Sequence, residues 1–305
     1  MADLRGVVFD AYGTLFDVYS IGQRAEQHFP GMGAAISTIW RDKQIEYSRL
    51  VTLSDPSASG SRHYQTFWEL TRAALVYSLQ KLNLSFAAAE IDDLMSGYAR
   101  LDAYPECLSV LQALRSCGLV TAVLSNGSPD MLRAASDSSG LTPWLSHRIS
   151  VDSVRQFKTS PACYALAPQV LGLSTESLLF VSSNGWDVVG ARWFGFRTCW
   201  VNRQGLPFET IGERPHARKL GAPRAYGAIR PRLGAVCIGF VRARMDLGRH
   251  ADCWIGASHM RVGSTPTTSG CHSSQSRAVL RSPSHCQCAA CGARRRAPVT
   301  GRRTD

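Results

Sequence analysis

Short apolar runs that end on polar, turn-forming residues alternate, over the first two-thirds of the chain, with segments whose apolar residues recur at helical spacing. Val7-Val8-Phe9 is such a run. It stops at Asp10, with Gly13 close behind, which predicts a buried strand opening into a loop. From Ile21 to about Arg100 the spacing is helical: Ile36, Trp40, Tyr47 and Leu50, then Tyr64, Phe67, Leu70 and Leu75, then Ile91, Leu94 and Tyr98. An all-helical insert is expected there. After Pro105 an amphipathic helix (Leu108, Leu111, Leu114), stopped by Gly118, leads into a strand Val120–Leu124 with Ser125-Asn126-Gly127 as the loop at its end. A helix from about Pro161 to Leu171, a strand Leu178–Ser182, a loop Ser183-Asn184-Gly185, a helix from Trp186 and a last strand Thr198–Val201 close the pattern.

Strands alternating with helices imply an α/β fold with a doubly wound parallel sheet, whose ligand site lies outside the carboxyl ends of the strands. Asp10, Ser125 and Ser182 to Asn184 all fall on that edge. The expected organisation is a Rossmann-like core from residues 1–18 and 101–215, an inserted α-helical cap over 19–100, and a separate tail over 216–305.

Composition changes the picture mainly for the tail. At 305 residues and 45% apolar content the chain can bury a substantial core. It holds no run of ~18 apolar residues, and Met1 to Gly6 lead into a strand rather than a signal peptide, so a soluble, cytoplasmic protein is expected. The net charge of +11 suggests nucleic acid at first, but it is unevenly placed. Residues 1–215 carry 18 Lys+Arg against 20 Asp+Glu, and residues 216–305 carry 16 against 3. Fifteen of the tail's sixteen basic residues are Arg, the exception being Lys219, and helical and strand periodicity is lost past about Gly212. The preferred reading is that the chain from about Pro215 is a frameshifted or read-through translation; a genuine disordered basic arm is the alternative. His285-Cys286-Gln287-Cys288 and Cys291, with Cys271 and His272, do not have the spacing of paired-Cys zinc sites. Arg294-Arg295-Arg296 specifies no partner, and nucleic acid is not expected as one.

The chemistry starts from Asp10. A lone Asp after a strand is most often a turn residue or a helix cap, but the segment Asp10-Ala11-Tyr12-Gly13-Thr14 has companions in order: Leu124-Ser125-Asn126-Gly127, Lys158 in Phe157-Lys158-Thr159-Ser160-Pro161, and Ser182-Ser183-Asn184-Gly185-Trp186-Asp187. Together they resemble the motifs of the haloacid dehalogenase (HAD) superfamily, in which the first Asp attacks the substrate to give a covalent intermediate. Trp40-Arg41-Asp42-Lys43-Gln44-Ile45-Glu46-Tyr47 is similar to a second signature, that of the (S)-2-haloacid dehalogenase branch; on its own Arg41 reads as a solvated residue pairing with Asp42 or Glu46. The resemblance covers residues from about 4 to 205.

The superfamily's phosphotransferases hold Mg²⁺ partly through a second Asp two residues after the first, which also serves as acid and base. Here Tyr12 stands in that place. A halide leaves without a proton and calls for hydrogen-bond donors and positive charge instead. The resemblance therefore implies hydrolytic dehalogenation of (S)-2-haloalkanoic acids to (R)-2-hydroxyalkanoic acids through an aspartyl ester, with no cofactor and no metal, by a homodimer. Its partners are the 2-haloacid and the halide ion. Asp10 would be the nucleophile. Thr14, Ser182 and Asn184 would orient it, and Lys158 would keep it ionised. Ser125 with nearby N–H groups would hold the substrate carboxylate, and Arg41 with Asn126 the halide. Asp187 would pair with Lys158 and position water, or else merely cap the helix from Trp186. Tyr12, Phe67 and Trp186 would form an apolar wall, or simply core, with Tyr164 in a supporting place. A phosphatase of the same superfamily, a hydrolase with a nucleic-acid-binding arm, and a chain inactivated by its altered C-terminus remain the competing readings. On the last, the missing continuation past Pro215 would leave a sheet edge bare and solubility low.

Overall fold

The computed structural model describes residues 3–220, and the remainder of the tail, with its Cys and Arg clusters, lies outside the described residues. Six strands form one parallel sheet in the order β3-β2-β1-β4-β5-β6. They are β1 (Gly6–Phe9), β2 (Val120–Ser125), β3 (His147–Ser150), β4 (Leu178–Ser182), β5 (Arg197–Asn202) and β6 (Ala217–Leu220). Phe9 pairs with Val123 on one side and Val181 on the other, so Asp10 emerges level with the ends of β2 and β4. All four residues of β1 are buried, as a central parallel strand covered on both faces requires.

Five helices run between β1 and β2, and the first four make up the insert: α1 (Ile21–His28), α2 (Gly33–Ser54), α3 (Phe67–Lys81) and α4 (Ala88–Tyr98). The inner stripe of α2 recurs at about helical period: Ile36, Trp40, Gln44, Ser48 and Val51 are buried. On α3, Thr66 accepts from the Glu69 N–H while the Glu69 carboxylate accepts from the Thr66 N–H, a reciprocal cap that sets where the helix starts. The remaining helices, α5 (Cys107–Ser116), α6 (Pro129–Ser138), α7 (Pro161–Leu171) and α8 (Gly185–Phe194), connect the strands. On α5, Cys107, Val110, Leu111 and Leu114 face inward.

Two differences from the sequence reading stand out. The segment from 128 to 156 holds α6 and β3, neither of which the hydropathy pattern indicates; β3 exposes His147 and Arg148 and buries Ile149, too short an alternation to register as a strand. The sheet also does not end at β5. Ala217 to Leu220 add a sixth parallel strand, Cys199 pairing with Ala217 and Asn202 with Leu220. The boundary drawn at 215 thus falls just before a strand, and the expectation that the β5 edge stands bare is corrected. Backbone pairing at an edge asks little of side-chain pattern, so a segment without apolar periodicity can supply it.

Candidate active site

The end of β1 turns sharply. Gly13 has a φ of +89°, and its N–H donates to the Phe16 carbonyl at 2.8 Å, closing a loop that holds Asp10 and Thr14 on the same side. Asp10 is 6% exposed, and its two oxygens are unequally engaged. Oδ2 accepts from Thr14 Oγ1 at 2.9 Å, Asn184 Nδ2 at 2.8 Å and Ser182 Oγ at 3.4 Å. Oδ1 receives Lys158 Nζ at 3.1 Å. Three elements therefore converge on one carboxylate: the β1 loop, the loop before α7 and the β4–α8 turn.

Lys158 is 1% exposed, and its ammonium also reaches Asp187 Oδ2 at 3.0 Å. Burial works to lower the Lys158 pKa, and the two carboxylates outweigh it, so the ammonium stays charged. Burial pushes the Asp187 carboxyl up, against the pull of Lys158. Tyr164 donates to Asp187 Oδ1 at 2.7 Å, and burial holds its phenol well above its usual range, so it acts as a donor. The Asp187 carboxylate is thus engaged with Lys158 and Tyr164, not with the free N–H groups of α8, and its capping reading is set aside.

Arg41 enters from the insert. Its Nη2 donates to the Tyr12 carbonyl at 3.2 Å and to Asn184 Oδ1 at 3.3 Å, linking α2 to the core loops, in place of the pairing with Asp42 or Glu46 that a solvated helix residue would make. Tyr12 stacks on Tyr98, ring centroids 5.6 Å apart, and lies 6.0 Å from Phe67. Burial raises the Tyr12 pKa well above its usual value, so the position that carries a carboxylate in phosphotransferases carries a neutral phenol.

Other expected residues sit less directly. Asn126 is buried, and its Oδ1 accepts the Lys158 backbone N–H at 2.9 Å, so this side chain holds the lysine's loop. Ser125 Oγ accepts the Gly127 N–H at 3.0 Å; a Cβ on Gly127 would lie 2.7 Å from the Tyr12 ring, which makes glycine necessary there. Trp186 is half-buried with the Arg49 guanidinium of α2 5.1 Å from its ring, an insert-to-core contact.

Several supporting residues escape the sequence reading. Ser183 donates its backbone N–H to Thr14 Oγ1 at 2.8 Å. Arg203, just past β5, donates to the Thr14 carbonyl at 2.7 Å and to Glu106 at 2.6 Å and lies over the Tyr104 ring. Nothing in the local sequence signals that role. Gln44 does carry a signal, a polar residue in the buried stripe of α2. Among the described residues no cluster of three or more His, Cys, Asp or Glu side chains could hold a metal ion, and no helix is long and apolar enough to cross a membrane.

Comparison with known proteins comes down on the same side. Residues 4–195 match the model of a hydrolase family described as haloacid dehalogenase-like hydrolase. An (S)-2-haloacid dehalogenase from Pseudomonas sp. (strain CBS-3) is 44% identical over 215 residues, spanning 70% of this chain and 91% of that protein. A crystal structure of an L-2-haloacid dehalogenase superposes with a TM-score of 0.72 at 46% identity, covering 79% of this chain and 100% of the other. The L-2-haloacid dehalogenase of Xanthobacter autotrophicus, solved with chloropropionic acid covalently bound, superposes with a TM-score of 0.66 at 38% identity, covering 76% and 96%.

Proposed function

The chain belongs to the haloacid dehalogenase-like hydrolase family, and from that premise we propose that it hydrolyses (S)-2-haloalkanoic acids to (R)-2-hydroxyalkanoic acids through an ester on Asp10. The observation that carries this reading is the combination at one point of a buried carboxylate, Asp10, a charged Lys158 beside it, and Arg41 brought in from the 19–100 insert, with Tyr12 where a second carboxylate would serve a phosphotransferase.

Three donors hold Oδ2 of Asp10, whereas Oδ1 has the single ammonium partner and keeps a lone pair for attack. Oδ1 displaces the halide at carbon 2 from behind, inverting the centre; the halide carries away the bonding pair and is received by Arg41 with Asn126 nearby. The substrate carboxylate rests against Ser125 and neighbouring N–H groups, and Tyr12, Phe67 and Trp186 exclude water from the nucleophile. Water then adds to the Asp10 ester carbon. Thr14, Ser182 and Asn184 donate to the developing oxyanion, and Asp187 takes the water's proton. Collapse releases the hydroxy acid and restores the carboxylate. Tyr164 serves this step by holding Asp187. Asp10 offers both its oxygens to hydrogen-bond donors, a set that does not fit the ordered oxygen ligands Mg²⁺ requires.

The test is halide release from (S)-2-chloropropionate, with and without a chelator, beside Asp10→Asn. Release unaffected by the chelator and absent in the variant is expected, and one turnover in ¹⁸O-water should place label in the peptide carrying Asp10. Mg²⁺-dependent release of phosphate from a phosphate monoester, without dehalogenation, would favour the phosphatase reading instead. The same proposal takes the working form as a cytoplasmic homodimer, to be checked by sedimentation and cell fractionation.

A further inference from the structure

Gln44 lies one turn beyond Arg41 on α2 and is 1% exposed, a buried primary amide to which the mechanism above gives no part. Its partners determine which way it points. Thr71 donates its hydroxyl to the Phe67 carbonyl at 2.6 Å, so the Thr71 oxygen is left to accept, and Gln44 Nε2 donates to it at 3.0 Å. Gln44 Oε1 must then face the other way, where it accepts from Tyr98 OH at 3.3 Å and lies 3.5 Å from Arg41 Nη1. Arg41 Nη2 in turn donates to Asn184 Oδ1, which turns Asn184 Nδ2 toward Asp10. The donors can thus be traced back from Asp10's partner Asn184 to Arg41, and the reversed amide at Gln44 would set donor against donor at Arg41 and acceptor against acceptor at Thr71.

We infer that Gln44 is a positioning residue for the leaving-group step, holding the Arg41 guanidinium in the plane and rotation from which it receives the halide, and that Thr71 fixes the orientation of Gln44. The inference rests on the proposed dehalogenation. A long arginine in a half-buried site has several rotamers to choose from, and a neutral acceptor on Nη1 selects one without neutralising its charge, as a carboxylate there would. A large amide, hydrogen-bonded through both its nitrogen and its oxygen, is costly to bury for packing alone.

The consequence is specific to the leaving group. Chloride departs less readily than bromide and depends more on donors placed to receive it, so misplacing Arg41 should slow the chloride reaction more. Gln44→Met, similar in size and without the acceptor, is expected to lower single-turnover halide release from (S)-2-chloropropionate by about tenfold, the effect of one lost charge-assisted hydrogen bond, and to lower release from the bromo acid by clearly less. Thr71→Val leaves the fold of α3 intact and frees the amide to turn; it should change the chloride-to-bromide ratio in the same direction, and it decides the matter should Gln44→Met not fold. An equal loss on both substrates, with the ratio unmoved in Gln44→Met and Thr71→Val, would make Gln44 a packing residue only and overturn the inference while leaving dehalogenation standing. A wild-type chain that releases no halide would overturn both.

Discussion

Removing the Lys158 ammonium is the sharpest perturbation the site offers. Lys158→Met keeps most of the side chain's volume and deletes its charge from a position 1% exposed, between Asp10 at 3.1 Å and Asp187 at 3.0 Å. Those distances put the two carboxylate oxygens no more than about 6 Å apart. At an effective dielectric of ~20 their unscreened repulsion is about 3 kcal/mol. Breaking a buried ion pair by removing one partner costs about 3–5 kcal/mol by general experience, so the two routes agree. For a folded unit of this size that is a fall in Tm of about 6–20 °C. The loss should depend on pH with a definite sign. Asp187 already has its pKa raised by burial, with Lys158 opposing, so the variant favours protonated Asp187 still more. A carboxyl raised above its unfolded value supplies stability at low pH that is lost as pH rises. The Tm deficit against wild type should therefore be smaller near pH 5 than near pH 8, read by thermal melts of both proteins at each pH. Halide release should drop by about a hundredfold or more. A deficit below about 1 kcal/mol, or one equal at both pH values, would show that the ammonium does not balance these carboxylates.

Further predictions use the same contacts. Asp187 must be ionised to accept the water's proton and its pKa is raised to about 6, so kcat should fall on the acid side as pH drops through that region. Tyr164→Phe removes the hydrogen bond that opposes this rise, and its pH–rate profile should show the acid limb displaced to higher pH; an unmoved limb would separate Tyr164 from the proton transfer. Arg41→Ala should abolish most halide release while leaving the melting temperature within a few degrees, because Arg41 is half-buried and no carboxylate among the described residues pairs with it. Arg203→Met, which strips a partner from Glu106 and from the Thr14 carbonyl, should cost stability of about 2–4 kcal/mol in urea unfolding and lower kcat through Thr14.

The elements visible in the sequence were those whose burial is enforced by period. β1, β2 and β4 read directly as apolar runs ending at one edge, and α2 to α5 as helical stripes, because strands and helices buried by a common core must present apolar residues at their own repeat. The candidate residues Asp10, Thr14, Ser182, Asn184 and Lys158 could be named in advance because their sequence motifs sit at strand ends. What the sequence left open were matters of direction and reach. Asn126 is expected beside the halide, and the structure adds a task for its oxygen, which accepts the Lys158 backbone N–H and leaves the amide N–H groups as donors. Asp187 could cap a helix or face a lysine, and only the packing of α7 against α8, which brings Tyr164 and Lys158 to it, decides between them. Arg203 and Gln44 act across the fold, through a loop carbonyl and a side-chain amide, and β6 adds itself by backbone pairing that no apolar pattern announces. Local periodicity records which face of an element is buried; which polar atoms meet inside depends on contacts between residues far apart in the chain, and these exist only once the tertiary structure has formed.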